Sequence, residues 1–378
     1  MVAALTAGDA TGASVALKQE ILQSQGFDTR IYCRVAAPGF HDVVVWPGPV
    51  KDLARDKFFM TSLAHCYDYG WETDMLDALS VGRSKTRRLV YFHGITPREF
   101  VPEALKAGVD RSYAQLRDAN RADVLLHATR YSRDMAVAAG VVKPRFVQLP
   151  LPLDLPAPTR TEPYAGIARF LSVGRMAESK GQLDLLHALA KLKAGGLGNW
   201  TLRLIYNEQT AHAPYLEAVR AAAAALDLTG QVEFVGTVSD RQHMAEHYAR
   251  SDVTILASRA ETYCLPLLES LSAGLAVVAY ASGAIPEVAR GCALLAPSGD
   301  LDALAAAIRA AAARLPLLGG DDIPPLSRAD FHSTCRARLS LTDRDQFSRV
   351  LLDAIDAPPR ASGFRTAAGA LLARLGLG

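Results

Sequence analysis

No stretch of about 18 apolar residues occurs in this chain, so nothing in it reads as a membrane span, and no secretory signal is evident. Net charge is nearly absent: 41 Lys and Arg against 39 Asp and Glu leave +2 over 378 residues. That balance excludes the basic footprint of a nucleic-acid binder. Cysteine is sparse, and Cys33, Cys66, Cys264, Cys292 and Cys335 show neither paired metal-ligand spacing nor a disulfide framework, which fits a reducing cytosol. No repeat of solenoid period occurs. What remains is a length suited to two domains, with strand-like runs and helical segments alternating throughout, the pattern of an α/β architecture.

The most informative segment is Ser258-Arg259-Ala260-Glu261-Thr262-Tyr263-Cys264-Leu265-Pro266-Leu267-Leu268-Glu269. The apolar run Val253–Ala257 before it reads as a buried strand, and Pro266 suits the first position of a following helix. Glu269 is then expected in the first helical turn, where the helix dipole favours a carboxylate. There it can accept hydrogen bonds from a ribose diol while the free amides of the helix start face phosphate. Glu261, in the preceding loop, is expected near a sugar. For an isolated pair, helix stabilisation by Glu269 and a solvated Glu261 are the commoner roles.

The neighbourhood changes that balance. Ser272-Ala273-Gly274-Leu275-Ala276-Val277-Val278 and Gly283-Ala284-Ile285-Pro286-Glu287-Val288 come after it in order. Upstream, Phe170-Leu171-Ser172-Val173-Gly174-Arg175 and Met176-Ala177-Glu178-Ser179-Lys180-Gly181 precede a helix with apolar Leu183, Leu186, Leu189 and Leu192. Arg175 and Lys180 fall at a strand's carboxyl end, where open parallel sheets bind ligands. Arg175 can fork onto phosphate oxygens, and Lys180 supplies a point charge. A lysine at a helix start opposes the dipole, which favours an anionic partner.

From about Phe170 to Ala306 this arrangement resembles the signature of family 4 (group 1) glycosyltransferases. The resemblance implies the α/β GT-B fold, two Rossmann-like domains facing each other across a cleft. It implies that Glu261 and Glu269 flank a nucleotide-sugar donor, with Thr262, Tyr263, Cys264 and Leu265 as further donor contacts. Cys264 stands where relatives often carry glycine or serine. Arg175 and Lys180 would stabilise a departing diphosphate. Further on, Thr201–Tyr206 and Val232–Val238 read as strands around an Ala-rich helix over Ala213–Leu226. By resemblance Val238 borders the nucleobase, with ordinary core packing as the equal alternative. The segment Tyr206-Asn207-Glu208 departs from the family's glycine-rich loop.

In the N-terminal half, Met1–Thr6 reads as a strand, Ala7-Gly8-Asp9-Ala10-Thr11-Gly12-Ala13-Ser14 as a glycine-bearing loop, and Val15–Gln25 as a helix. The resemblance sets Gly12 against the donor diphosphate. Leu89–Pro97 is a strand running into a turn with His93 at its carboxyl end, where the family has a histidine that positions donor or acceptor. Asp123–Ser132 is a later strand with Ser132 as helix cap and Arg130 as a weak acceptor-site candidate.

The domain boundary falls in Leu149–Pro158, where proline blocks helix and stiffens the chain. The expected division is 1–150 as the acceptor domain, 151–163 as a Pro-rich linker and 164–342 as the donor domain. Helices from about 343 to 378 return to the first domain, Asp343–Ile355 foremost, and hinge closure would exclude water from the cleft. Asp300-Leu301-Asp302 and Asp343-Arg344-Asp345 each precede a helix, so capping outweighs metal binding and no essential metal or other cofactor is expected. The tail 363–377 is apolar with Arg365 and Arg374. It suits an anionic membrane surface or, given its glycines, packing or disorder.

The expected function is a retaining hexosyltransferase of bacterial polysaccharide assembly, cytoplasmic or peripheral at the inner membrane face. It would move mannose from GDP-mannose, or alternatively a hexose from a UDP-sugar, to a saccharide or lipid-linked acceptor, with no nucleic-acid partner. A GT-B nucleotide-sugar epimerase, a sugar phosphorylase and a catalytically silent sugar-binding scaffold are the alternatives. The phosphorylase is disfavoured because no phosphate or pyridoxal site is apparent.

Overall fold

The computed structural model describes residues 1–5, 10–83, 85–153, 167–313, 335, 337 and 343–356. The chain divides into two compact units. One comprises Met1–Ile95, Ala107–Leu151 and the chain from Asp343; the other comprises Thr96–Lys106 and Pro152–Thr342. Most of the expected Pro-rich linker and the apolar tail lie outside the described residues.

The first unit begins with β1 (Ala4–Leu5), α1 (Ala10–Ser24), β2 (Ile31–Cys33), β3 (Val35–Ala36), β4 (Val43–Val45) and α2 (Lys57–Thr61). It continues through β5 (Ala64–Tyr69), β6 (Arg87–Phe92), α3 (Glu103–Leu116), whose first turn falls in the other unit, then β7 (Val124–His127), α4 (Arg130–Ala138) and β8 (Arg145–Gln148). Strands β5-β6-β7-β8 form one parallel sheet, while β1–β3 and β2–β4 pair as two short parallel ribbons. All four residues of β7 are buried, as expected of a strand covered on both faces.

The second unit carries β9 (Ala168–Val173), α5 (Gln182–Ala194), β10 (Trp200–Ile205), α6 (Ala213–Ala225), β11 (Val232–Gly236), α7 (Arg241–Ala249) and β12 (Val253–Leu256). After these come α8 (Leu265–Ser272), β13 (Ala276–Tyr280), α9 (Ile285–Ala289), β14 (Leu294–Ala296) and α10 (Leu301–Ala313). Its six parallel strands run β11-β10-β9-β12-β13-β14. This is the dinucleotide-fold order, in which the direction of winding reverses between β9 and β12. At such a reversal the loops diverge and leave a crevice at the carboxyl ends of the strands. Helix α11 (Arg344–Asp356) belongs to the first unit. There Arg344 pairs with Glu20 of α1 at 2.6 Å, and the buried Arg87 donates through Nε to the Ala354 carbonyl at 3.3 Å.

Four local expectations change. The first strand is only Ala4–Leu5, and α1 starts at Ala10, so Gly12 lies in its first turn rather than in a loop. The alanines around Gly12 are strong helix formers, and one glycine costs only about 1 kcal/mol in a helix. The cap of α4 is Thr129, whose hydroxyl accepts from the Ser132 amide at 3.1 Å; Ser132 answers to the Thr129 amide as the other half of a capping box. Helix α8 starts at Leu265, which moves Glu269 to its fifth position and out of the first turn. The aspartate pairs do serve helix starts: Asp300 accepts from the Ala303 amide and Asp343 from the Asp345 amide, each at 2.9 Å.

Candidate active site

In the second unit, β9 delivers Gly174 and Arg175 to the reversal point. The Arg175 side chain is exposed and has no partner among the described residues, while its carbonyl accepts from Gln182 Nε2 at 3.0 Å. A single turn, Glu178–Lys180, then leads to Gly181, which caps α5 with φ +65°. A Cβ on Gly181 would lie 2.0 Å from the Ala257 carbonyl oxygen, so only glycine lets α5 abut the end of β12. This close approach brings Lys180 to Glu261, with Nζ 2.7 Å from Oε1; the side chains are 21% and 11% exposed. Two residues singled out in the sequence 81 positions apart are thus one ion pair.

The loop holding Glu261 is fixed on both sides. Arg259 grips Asp184 of α5 through two hydrogen bonds of 2.8 Å, and its amide donates to the Ser179 carbonyl at 2.8 Å. Gly283, with φ +54°, approaches so closely that a Cβ would sit 2.2 Å from the Glu261 carbonyl oxygen. The Ala284 amide donates to that same oxygen at 2.9 Å, and the Ser282 hydroxyl donates to the Ser258 carbonyl.

Thr262, Tyr263, Cys264 and Leu265 form the turn into α8. Cys264 has φ 69° and ψ 68°, the left-handed region that a residue with a Cβ enters at a cost, and serves as the helix N-cap. This conformation lets its carbonyl meet the Leu267 amide at 3.2 Å, which is why the helix begins one residue earlier than proline preference suggests. Burial, reinforced by the Glu261 carboxylate, pushes the Cys264 thiol well up. Burial likewise raises the Tyr263 phenol.

Glu269 lies below this turn. Burial raises its carboxyl, partly offset by the Tyr248 hydroxyl, which donates to Oε2 at 2.7 Å. The Tyr248 phenol is itself raised well above its ordinary value by burial and by Glu269. Val238, half-buried, packs against the cluster of Leu171, Ile205, Tyr248 and Leu275.

In the first unit, His93 directly follows β6, and its Nε2 lies 2.8 Å from Asp68 Oδ1. The same oxygen accepts from Lys18 of α1, whose ammonium also sits 4.5 Å from the Tyr91 ring centroid. The Asp68, Lys18 and His93 side chains are only 2%, 6% and 13% exposed. Burial alone would raise the Asp68 carboxyl, but the Lys18 charge and the His93 hydrogen bond hold it well below the usual carboxylate range. Arg130 opens α4 at the end of β7, the strand beside β6, and is exposed. Gly12 is buried in the same unit.

Sequence reading missed Asp68, Lys18, Gly181, Gly283, Asp184 and Tyr248 as supports of these sites. Only the glycines carried a local signal, since each stands where a strand end meets a following helix.

Residues 168–314 match the family described as Glycosyl transferases group 1. Among individual proteins, the D-inositol 3-phosphate glycosyltransferase of Geodermatophilus obscurus is 31% identical over 300 residues. The match covers 74% of this chain and 61% of that protein, so the chain spans about three fifths of its relative's length. Sucrose-phosphate synthase from Thermosynechococcus elongatus superposes with a TM-score of 0.73 at 17% identity, covering 93% of this chain and 97% of its own. Anabaena Alr3699/HepE in complex with UDP gives 0.69 at 18% identity, covering 94% and 99%. The fold is the GT-B glycosyltransferase fold of these neighbours.

Proposed function

We propose that the protein is a retaining, nucleotide-sugar-dependent glycosyltransferase. The observation that carries this reading is the Lys180–Glu261 pair at the β9/β12 reversal, with the Arg175 guanidinium, unpartnered among the described residues, just past the end of β9. Lys180 has three N–H donors; one meets Glu261, and two remain for phosphate oxygens. Arg175 can add a bidentate grip. As the bond between sugar and diphosphate breaks, negative charge grows on the leaving phosphate, and the two cations, Lys180 held by Glu261 and Arg175 gripping the phosphate, stabilise that change. Glu261, held by Lys180 and by Gly283 behind it, is oriented to accept hydrogen bonds from the sugar hydroxyls. His93, oriented by Asp68, would position donor or acceptor. In this reading the cations take the role a divalent metal plays elsewhere, so turnover is expected to survive a chelator.

The first donor reading is GDP-mannose, with a saccharide or lipid-linked acceptor in polysaccharide assembly at the inner membrane face. A UDP-hexose is the second, favoured by the UDP bound in the Anabaena structure. A thermal-shift series with GDP, UDP, ADP and dTDP and their sugar conjugates, without metal and then with magnesium, tests the reading. Selective stabilisation by one nucleotide supports it. Arg175→Ala and Lys180→Ala should each lower turnover at least about a hundredfold, the scale of a lost charge stabiliser; Arg175→Ala should leave the melting temperature unchanged, whereas Lys180→Ala should lower it because it leaves the largely buried Glu261 unpaired. Unchanged turnover would sink the site assignment.

A further inference from the structure

Resting on this reading, we propose that Glu208 selects a guanine base in the donor nucleotide. The phosphate and sugar groups are assigned to the ends of β9 and β12, so the base must extend to one side or the other along the sheet. Toward β13 the way is shut, because the loop after that strand is pressed onto the Glu261 backbone at Gly283 and tied to the Ser258 carbonyl by the Ser282 hydroxyl. Toward β10 and β11 the strand ends lead to exposed residues, Glu208, Gln209 and Thr237. With strands about 4.8 Å apart, the end of β11 lies about 10 Å from that of β9, comparable with the reach of a nucleoside diphosphate from its outer phosphate to its base.

The chain shapes this edge for a side chain. The β10–β11 register shifts between Leu204 and Ile205, and a bulge of this kind re-aims the residues beyond it. The pairing closes with the Tyr206 amide on the Gly236 carbonyl at 3.1 Å. Gly236 has φ +81°, and the Glu208 carboxylate lies over it: a Cβ on Gly236 would come 3.2 Å from both Cδ and Oε1. The Glu208 amide is held by Thr237 Oγ1 at 3.0 Å, and that hydroxyl also reaches Oε2 at 3.4 Å. Asp240, another carboxylate nearby in sequence, commits Oδ1 to the His243 amide at 2.8 Å as the cap of α7. Glu208 is exposed, and beside the long contact from Thr237 to Oε2 its carboxylate keeps lone pairs on both oxygens to accept from a ligand.

A carboxylate only accepts hydrogen bonds. Guanine offers it two adjacent donors, N1–H and the N2 amino group, and the resulting pair is bidentate and charge-assisted. Uracil sets its single N3–H between two carbonyls, and adenine sets its amino group beside an acceptor nitrogen, so either base turns a lone pair toward the carboxylate. A bidentate contact of this quality discriminates by about tenfold to a hundredfold.

Titration calorimetry of the full chain with GDP and with UDP tests this, using the wild type, Glu208→Gln and Lys180→Ala. Glutamine keeps the shape but turns one acceptor into a donor. The wild type should bind GDP at least about tenfold tighter than UDP, and Glu208→Gln should lose most of that preference. UDP affinity should stay nearly unchanged in this variant, and Lys180→Ala should weaken both nucleotides. If Glu208→Gln leaves the GDP-to-UDP ratio of the wild type intact, or the wild type prefers UDP, while Lys180→Ala still weakens binding, base selection by Glu208 is refuted and the donor site stands. If neither nucleotide binds, base selection by Glu208 is refuted together with the GDP and UDP donor readings. Glu208→Ala, which removes the carboxylate without adding a donor, should level the two affinities.

Discussion

Gly181→Ala separates tertiary contact from backbone preference in a single comparison. Gly181 and Gly196 both have positive φ, +65° and +88°, but a Cβ on Gly181 meets the Ala257 carbonyl at 2.0 Å whereas one on Gly196 meets nothing within 4 Å. Each alanine incurs the left-handed backbone penalty of about 1–2 kcal/mol. Only Gly181→Ala must also push α5 away from β12 by more than an ångström, which adds about 1–3 kcal/mol of overpacking. For a unit of this size 1 kcal/mol moves the melting temperature by about 2–4 °C, so Gly181→Ala should melt about 4–8 °C below Gly196→Ala if the overpacking is near 2 kcal/mol. The displacement also opens the Lys180–Glu261 pair, so nucleotide affinity should fall in Gly181→Ala and hold in Gly196→Ala. Scanning calorimetry with and without nucleotide reads both effects. Equal melting temperatures for the two variants would refute the argument that contact with Ala257 makes glycine obligatory.

Tyr248→Phe removes the hydroxyl that satisfies the Glu269 carboxylate and should cost about 1–3 kcal/mol at neutral pH, the cost of an unmet buried acceptor. Because the folded Glu269 carboxyl is raised above its ordinary 4.5, the folded chain binds that proton more tightly. The contribution is full below that value and is lost as pH rises through the folded pKa, so the deficit of Tyr248→Phe should shrink toward acid in urea titrations at several pH values. In the first unit, Asp68→Asn should cost about 3–5 kcal/mol because it strands the buried Lys18 ammonium, and Lys18→Met combined with Asp68→Asn should recover part of that loss in a double-mutant cycle. Asp68 has the opposite sign to Glu269: its depressed carboxyl contributes stability above the ordinary carboxylate range, lost as pH falls through the folded pKa.

The sequence by itself determined the alternation of strands and helices, the buried run at β12, and the placing of Arg175, Lys180 and Glu261 at strand ends. Those features are local, set by apolar periodicity and by glycine and proline at turns, and they are legible within windows of about ten residues. Tertiary structure decided which charges meet. Lys180 finds Glu261 because Gly181 lets α5 touch β12, and His93 finds Asp68 and Lys18 because β5, β6 and α1 converge, although 25 and 50 positions separate Asp68 from these partners. It also decided the start of α8: proline preference alone favours Pro266 as the first position, whereas the left-handed turn at Cys264, held between the Glu261 loop and the helix, begins the helix at Leu265. Contacts between distant residues depend on the order of strands in the sheet. That order results from how whole elements bury their apolar faces against one another, which no local window of sequence contains.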